Sequence, residues 1–252
     1  MIEGAPPFDG AAYAPELRAE AASAWQSLLL QEHVSQVAAE QLVGDLGRFH
    51  APHAIVASAR RIAGEEARHV GVCSQVVAAL GFEPRLAPVA PRALPTAQRD
   101  FERAMVDILV IGFAVGETMS VGGFVAGRAL AQEPLARWAL GELLRDEVGH
   151  GAFGEEAGAW AMRGWSAERR RSMWPRCVAA MESVERRVGG RLGECADERG
   201  EGALEALGVP DAVVVGKGLL RAVARWVLPR LERMGVLPVR LPSDAWTRLR
   251  VG

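Results

Sequence analysis

Apolar positions recur at three- and four-residue spacing through most of the chain, and few runs alternate with period two, so the pattern is helical. In a first segment from about Pro15 to Phe49, Leu28, Leu29, Val34, Val37, Ala38 and Leu42 keep that spacing. The stretch His50-Ala51-Pro52-His53 then reads as a turn. Pro52 suits the first turn of a second helix that runs to Leu80, where Gly81 supplies a stop. The Pro-rich stretch Glu83 to Pro95 is expected to cross the molecule as a loop. A third helix is expected from near Thr96 to about Gln132, then a tight turn at Glu133-Pro134 and a fourth helix to about Gly164. Two tight antiparallel hairpins joined by one long crossover predict an all-α four-helix bundle over residues 1–165.

Residues 166–252 form a C-terminal helical extension expected to pack on that bundle. Ser166 starts another helix carrying Trp174, Val178 and Met181. The polar, Gly-rich stretch Gly189 to Gly202 breaks the pattern, and an amphipathic segment from Val213 to Met234 should kink or break at Pro229.

Composition sharpens this picture by exclusion. With 252 residues, half of them apolar, the chain can bury a substantial core. A net charge of −2 gives no global field to attract nucleic acid or an anionic membrane. Cys73, Cys177 and Cys195 are odd in number and lack CxxC spacing, which argues against a disulfide framework or a cysteine-ligated metal site. A reducing cytosol and the absence of a recognisable export signal at the N-terminus predict a cytoplasmic protein. Met105 to Gly127 is apolar enough to cross a bilayer, but Glu117 at its centre, with partners on other helices, favours a buried core helix.

Two of the five histidines have a glutamate three residues earlier: Glu66-Ala67-Arg68-His69 on the second helix and Glu147-Val148-Gly149-His150 on the fourth. That spacing puts both side chains on one helical face, where they can bind metal together. In an antiparallel hairpin, residues equidistant from the turn lie at one height. The midpoint of Glu32 and Glu66 is residue 49, at the first turn, and that of Glu117 and Glu147 is residue 132, at the second. Each ExxH pair therefore faces a glutamate on its hairpin partner, about 25 Å from the turn. Glu40 is the rival to Glu32, but its midpoint with Glu66 is residue 53, just past the turn. Glu117 stands in an apolar stretch, where a buried carboxylate needs a cation.

The pattern Glu32, Glu66-x-x-His69, Glu117, Glu147-x-x-His150 resembles the di-iron carboxylate proteins of the ferritin-like superfamily. The segments Glu32-His33-Val34-Ser35 and Gly116-Glu117-Thr118 are similar to those of a bacterial branch of it, and the resemblance covers roughly residues 20 to 165. It implies a ferritin-like bundle holding two iron ions, in which Glu66 and Glu147 bridge the metals as the catalytic carboxylates. Glu32 and His69 would complete one ion and Glu117 and His150 the other. The sequence departs from the common Asp-Glu-x-Arg-His form, with Glu65 in place of Asp and Gly149 in place of Arg. Asp146 remains able to orient a histidine. Carboxylate and imidazole ligands suit iron or manganese.

His33 points about 100° away from Glu32, and His50 and His53 fall in the turn, so none of the three is expected to bind metal. Tyr13 lies nineteen residues before Glu32, about 28 Å along a helix, too far for a radical beside the metals.

Residues one turn from the ligands are mostly apolar: Leu28, Leu29, Ile62, Val70, Cys73, Phe113, Ala114, Val121, Leu143 and Leu144, with Ser35, Ser120 and two glycines, Gly151 and Gly154, that leave room. Such a lining suits a dry reaction pocket better than an iron-entry path. The expectation is an oxygen-activating di-iron oxygenase or hydroxylase of a small, partly apolar molecule. Its partners would be that substrate, O₂ and an electron-donating reductase, with a homodimer allowed and neither nucleic acid nor membrane involved. The alternatives are a ferritin-like iron-handling or peroxide-scavenging protein and a metal-bearing scaffold without turnover.

Overall fold

Ala14 in an extended conformation and Pro15 in the first turn launch the first helix, α1, Pro15–Arg48, in the computed structural model. The described residues are 2, 4–192 and 202–237, and among them the regular structure is all helical. α2, His53–Ala79, folds back on α1 as a hairpin. Both helices stop in the same way. At the end of α1 the His50 N–H reaches the Gly47 carbonyl (3.1 Å) and the Ala51 N–H the Leu46 carbonyl (3.0 Å). At the end of α2 Gly81 reaches Ala78 (3.0 Å) and Phe82 reaches Val77 (3.2 Å). This closing motif needs one residue at positive φ, which Gly81 supplies at +96° and His50 at +54°.

The loop after α2 has no helical structure up to Pro95, as its prolines require. α3, Gln98–Leu130, contains an unforeseen π-wound stretch, Ile108–Glu117. α3 is the one helix among the described residues long and apolar enough to span a bilayer, and half of its most apolar window is buried inside the fold. Glu133 caps α4, Pro134–Ala161, by accepting the Ala136 N–H at 2.7 Å.

The single helix expected from Ser166 is two: α5, Ala167–Arg171, and α6, Trp174–Leu192. Ser166 caps the first, and Pro175, which lacks an N–H, restarts the chain in the first turn of the second. Most of the Gly-rich stretch, with Cys195, lies outside the described residues. After the short α7, Ala203–Ala206, α8 runs through Ala212–Ala222, a π-wound Val223–Val227 and Leu228–Arg233. Of the kink or break expected at Pro229, the break does not occur, and the helix runs on through it. The proline ring would strike the carbonyl four residues back, at Arg225, and the wide π winding around Arg225 makes space for it.

The chain divides into two compact units. One gathers α1, α2, the following loop, α3 from Phe124 onward, α4 up to Asp146, and α7. Its core includes Trp25, Leu29, Val76, Leu140 and Leu143, and the Trp25 indole donates to the Leu207 carbonyl at 3.0 Å. The other gathers the rest of α3 and α4 with α5, α6 and α8, around Val110, Ala114, Met173, Cys177, Val223 and Leu231. Within this second unit Gly154 comes so close to the backbone of Phe113 and Ala114, in the π-wound stretch, that any Cβ would collide. Not every apolar position on the expected stripes faces inward: Val34 is 52% exposed.

Candidate metal centre

The first unit brings Glu32, Glu66 and His69 together. Spacing puts Glu66 and His69 one turn apart on α2, and the hairpin sets Glu32 of α1 against them. One ligand atom from each of the three lies within 4.8 Å of the others. Glu32 is 6% exposed, Glu66 1% and His69 fully buried, whereas the rival Glu40 is exposed and accepts a hydrogen bond from Gln36 at 2.9 Å. Glu32, and not Glu40, lies beside Glu66 and His69.

The His69 ring is held from both sides. Its Nδ1 lies 3.2 Å from Glu32 Oε2 and 3.7 Å from Glu66 Oε2, and its Nε2 lies 3.0 Å from Asp146 Oδ2. A metal-binding histidine commonly donates its second ring N–H to a carboxylate, which fixes the ring and raises the basicity of the ligating nitrogen. Asp146 makes the contact to a histidine anticipated for it, leaving Nδ1 as the nitrogen facing the glutamates. Arg68 fixes Asp146 in turn, pairing with it and with Glu142, the latter at 2.7 Å. This guanidinium clamp was not foreseen. Its signal was Glu142 and Asp146, spaced by four on one face of α4, with an arginine beside the candidate histidine.

Without metal, burial pulls the His69 pKa down, but hydrogen bonds and charge from Glu32 and Glu66 outweigh it and push the pKa up to about 10. An imidazolium proton then stands between the carboxylates. Cys73, one turn beyond His69, is fully buried; burial and then the charges of Glu32 and Glu66 push its thiol well above the ordinary range, so it stays protonated.

The second unit brings Glu117, Glu147 and His150 together, again with one ligand atom from each within 4.8 Å of the others. Glu147 is 2% exposed and His150 fully buried, with His150 Nδ1 at 3.6 Å from Glu147 Oε2. Glu117 is half-buried, less enclosed than its apolar surroundings suggest, and it is the last residue of the π-wound stretch. Ser120 sits one turn on, its hydroxyl 2.6 Å from the Glu117 carbonyl and 3.1 Å from Glu147 Oε2, so its one proton can serve either.

Each triad puts two carboxylates and an imidazole where like charges crowd in a poorly solvated interior, an arrangement that a divalent cation relieves. The carboxylate and imidazole donors could hold a metal ion. Set against models of known protein families, curated proteins and solved structures, the chain matches none.

Beside the second triad lies a cavity of about 110 Å³, lined by Thr118, Val121, Glu147, Val148, Trp226 and Arg230. Of the lining read from sequence, only Val121 borders it. Phe113 stacks edge-on against Phe153 at 5.2 Å, and Leu143 is core. Gly151 and Gly154 leave room, but for Thr118 and Arg230 in one case and the α3 backbone in the other. Trp226 and Arg230 come from α8, far along the chain from the ligand helices, and a helical stripe does not specify which of its residues border a void.

Proposed function

We propose that the chain is an oxygen-activating, non-haem di-iron oxidoreductase acting on a small, partly apolar substrate. In this reading residues 1–165 form a ferritin-like bundle, residues 166–252 extend it, and the two triads are the halves of one dinuclear centre. The observation that carries it is the duplication of a largely buried Glu/Glu/His triad, with a cavity beside Glu147. The ground for joining the halves is the sequence pattern, in which each ExxH pair comes with a glutamate on its hairpin partner. Bound iron would supply the redox chemistry that activates O₂. The protein's residues would do the remaining work. Glu32, Glu66 and His69 would hold one ion and Glu117, Glu147 and His150 the other, with Glu66 and Glu147 shared. Asp146 and Arg68 keep the His69 ring in place, while Val121 and Trp226 would limit water at the substrate side. Electrons would come from a separate reductase.

The cavity favours oxygenation over iron storage, since a storage site needs a polar route for ions and three of these six walls are apolar. Stepwise addition of Fe²⁺ in air, with O₂ uptake and size analysis, tests the reading. It expects loading to stop near two irons per chain, about the ligand capacity of two triads. Uptake of tens of irons into a large shell would establish storage instead.

A further inference from the structure

The cavity beside Glu147 carries two polar atoms that the protein does not satisfy. Thr118 Oγ1 and Arg230 Nη1 are buried and have no hydrogen-bond partner among the described residues. Thr118 is only 2% exposed. Glu155, the carboxylate whose charge Arg230 feels, is held by Arg233 at 2.5 and 2.8 Å. Leaving a buried charged donor unmet is costly, so the geometry asks for an acceptor. Both residues line the same cavity, and both atoms lie beside Gly151. A Cβ at Gly151 would lie 2.8 Å from Arg230 Nη1 and closer still to Thr118 Oγ1, so the missing side chain is what lets both donors sit together against this point of α4.

We propose that this cavity binds a small organic carboxylate, with Arg230 Nη1 and the Thr118 hydroxyl donating to its oxygens and its carbon body against Val121, Val148 and Trp226. The proposal rests on the reading of Glu147 as a metal ligand and names the substrate class of that site. Guanidinium and hydroxyl donors match a carboxylate, and the apolar walls favour an organic acid over an inorganic anion. An apolar cavity of about 150 Å³ accepts benzene, so about 110 Å³ accommodates roughly four or five non-hydrogen atoms, the size of propionate. Larger acids would extend past Val148, which is 53% exposed. Glu147 in the same wall repels an anion unless a cation is bound to it, so carboxylate and metal bind cooperatively.

The test is calorimetric titration of the full chain, loaded with Mn²⁺ and kept free of oxidant chemistry, with propionate, its neutral isostere propionamide, and inorganic phosphate. Propionate should bind at least about tenfold tighter than either other probe, and Arg230→Met should erase that preference while metal content stays unchanged. If Arg230→Met does not fold, Arg230→Lys keeps a charge but withdraws Nη1 and should weaken propionate. Equal binding of propionate and propionamide, phosphate binding as tightly as propionate, or indifference to Arg230 substitution in Mn²⁺-loaded protein would overturn the carboxylate site while leaving the metal reading intact. If the chain takes up no metal, that reading fails separately. The titration is then run on metal-free Glu147→Gln, in which no carboxylate in the wall repels an anion: an Arg230-dependent preference for propionate upholds the site, and no preference overturns it.

Discussion

His69 gives its Nε2 to Asp146 at 3.0 Å and turns its Nδ1 towards Glu32 at 3.2 Å. The first contact governs the second, because a ring pinned at one nitrogen can present the other in only one direction. Asp146→Asn keeps the shape but loses the charge that both His69 and Arg68 engage. Metal affinity should fall about 10- to 100-fold, measured by competition with a chelator. Unchanged affinity would show that Asp146 serves only its ion pair with Arg68.

Glu32 and Glu40 lie two turns apart on one helix, yet one is buried beside His69 and the other is solvated. Glu32→Ala should lower occupancy of one ion by at least about tenfold, because a lost ligand should cost no less than a lost orienting partner. Glu40→Ala should leave occupancy unchanged and shift stability by less than about 0.5 kcal/mol. Metal analysis of the purified variants gives the ranking, and the reverse order would remove Glu32 from the site.

Much of this arrangement was legible because it depends on local rules. Pro52, Gly81 and Pro134 mark helix ends through backbone chemistry, and the midpoint arithmetic for Glu32 and Glu66 needs only a straight hairpin. What escaped depends on contacts distant in sequence. The π winding of Ile108–Glu117 goes with the close approach of Gly154, and nothing in residues 108–117 announces it. The apolar stripe on α3 was readable, but whether Phe113 or Val121 borders a cavity depends on Trp226 and Arg230, more than a hundred residues later. Pro229 was a visible signal whose outcome, a break or a wide turn, local rules leave open.

The loop from Arg85 to Arg92 is fastened to α1 by two glutamines. Gln26 Oε1 accepts the Arg85 N–H at 3.0 Å and its amide donates to the Arg85 carbonyl at 2.6 Å; Gln41 makes the same pair with Arg92. Fifteen residues of helix and seven of extended proline-rich chain both span about 22 Å, so the two clasps are in register. Gln41→Ala should cost about 1–2 kcal/mol and speed proteolysis within the loop, since two backbone groups lose their partners. Cleavage at the wild-type rate would show that the prolines alone hold the loop.

The two similar helix ends differ in one residue. His50 sits at φ +54°, where a Cβ is disfavoured, and Gly81 sits at +96°, where it is not required to carry one. His50→Gly should therefore stabilise the protein by about 0.5–1 kcal/mol, and Gly81→Ala should destabilise it by about 1 kcal/mol or more, read from denaturant midpoints at constant slope. His50 is exposed, so no packing loss should obscure the gain. A loss on His50→Gly would mean that the imidazole contributes to the turn.

Gly154 links packing to the second triad. A Cβ there would meet the backbone at Phe113 and Ala114, and backbone, unlike the end of a long side chain, cannot step aside without moving its helix. The helix that must move is the π-wound stretch that ends at Glu117. Gly154→Ala should cost about 2–3 kcal/mol, at the upper end of overpacking by one methyl group. It should also lower the metal affinity of the triad Glu117, Glu147 and His150, because displacement by a fraction of an ångström degrades a ligand set. Gly164→Ala is the control, since a Cβ there meets nothing within 4 Å and should change stability by less than about 0.5 kcal/mol. Thermal unfolding with and without metal separates the two effects. Gly154→Ala should narrow the stabilisation that metal confers, whereas a uniform loss with the metal increment intact would show that the close approach supports the fold alone and does not set the position of Glu117.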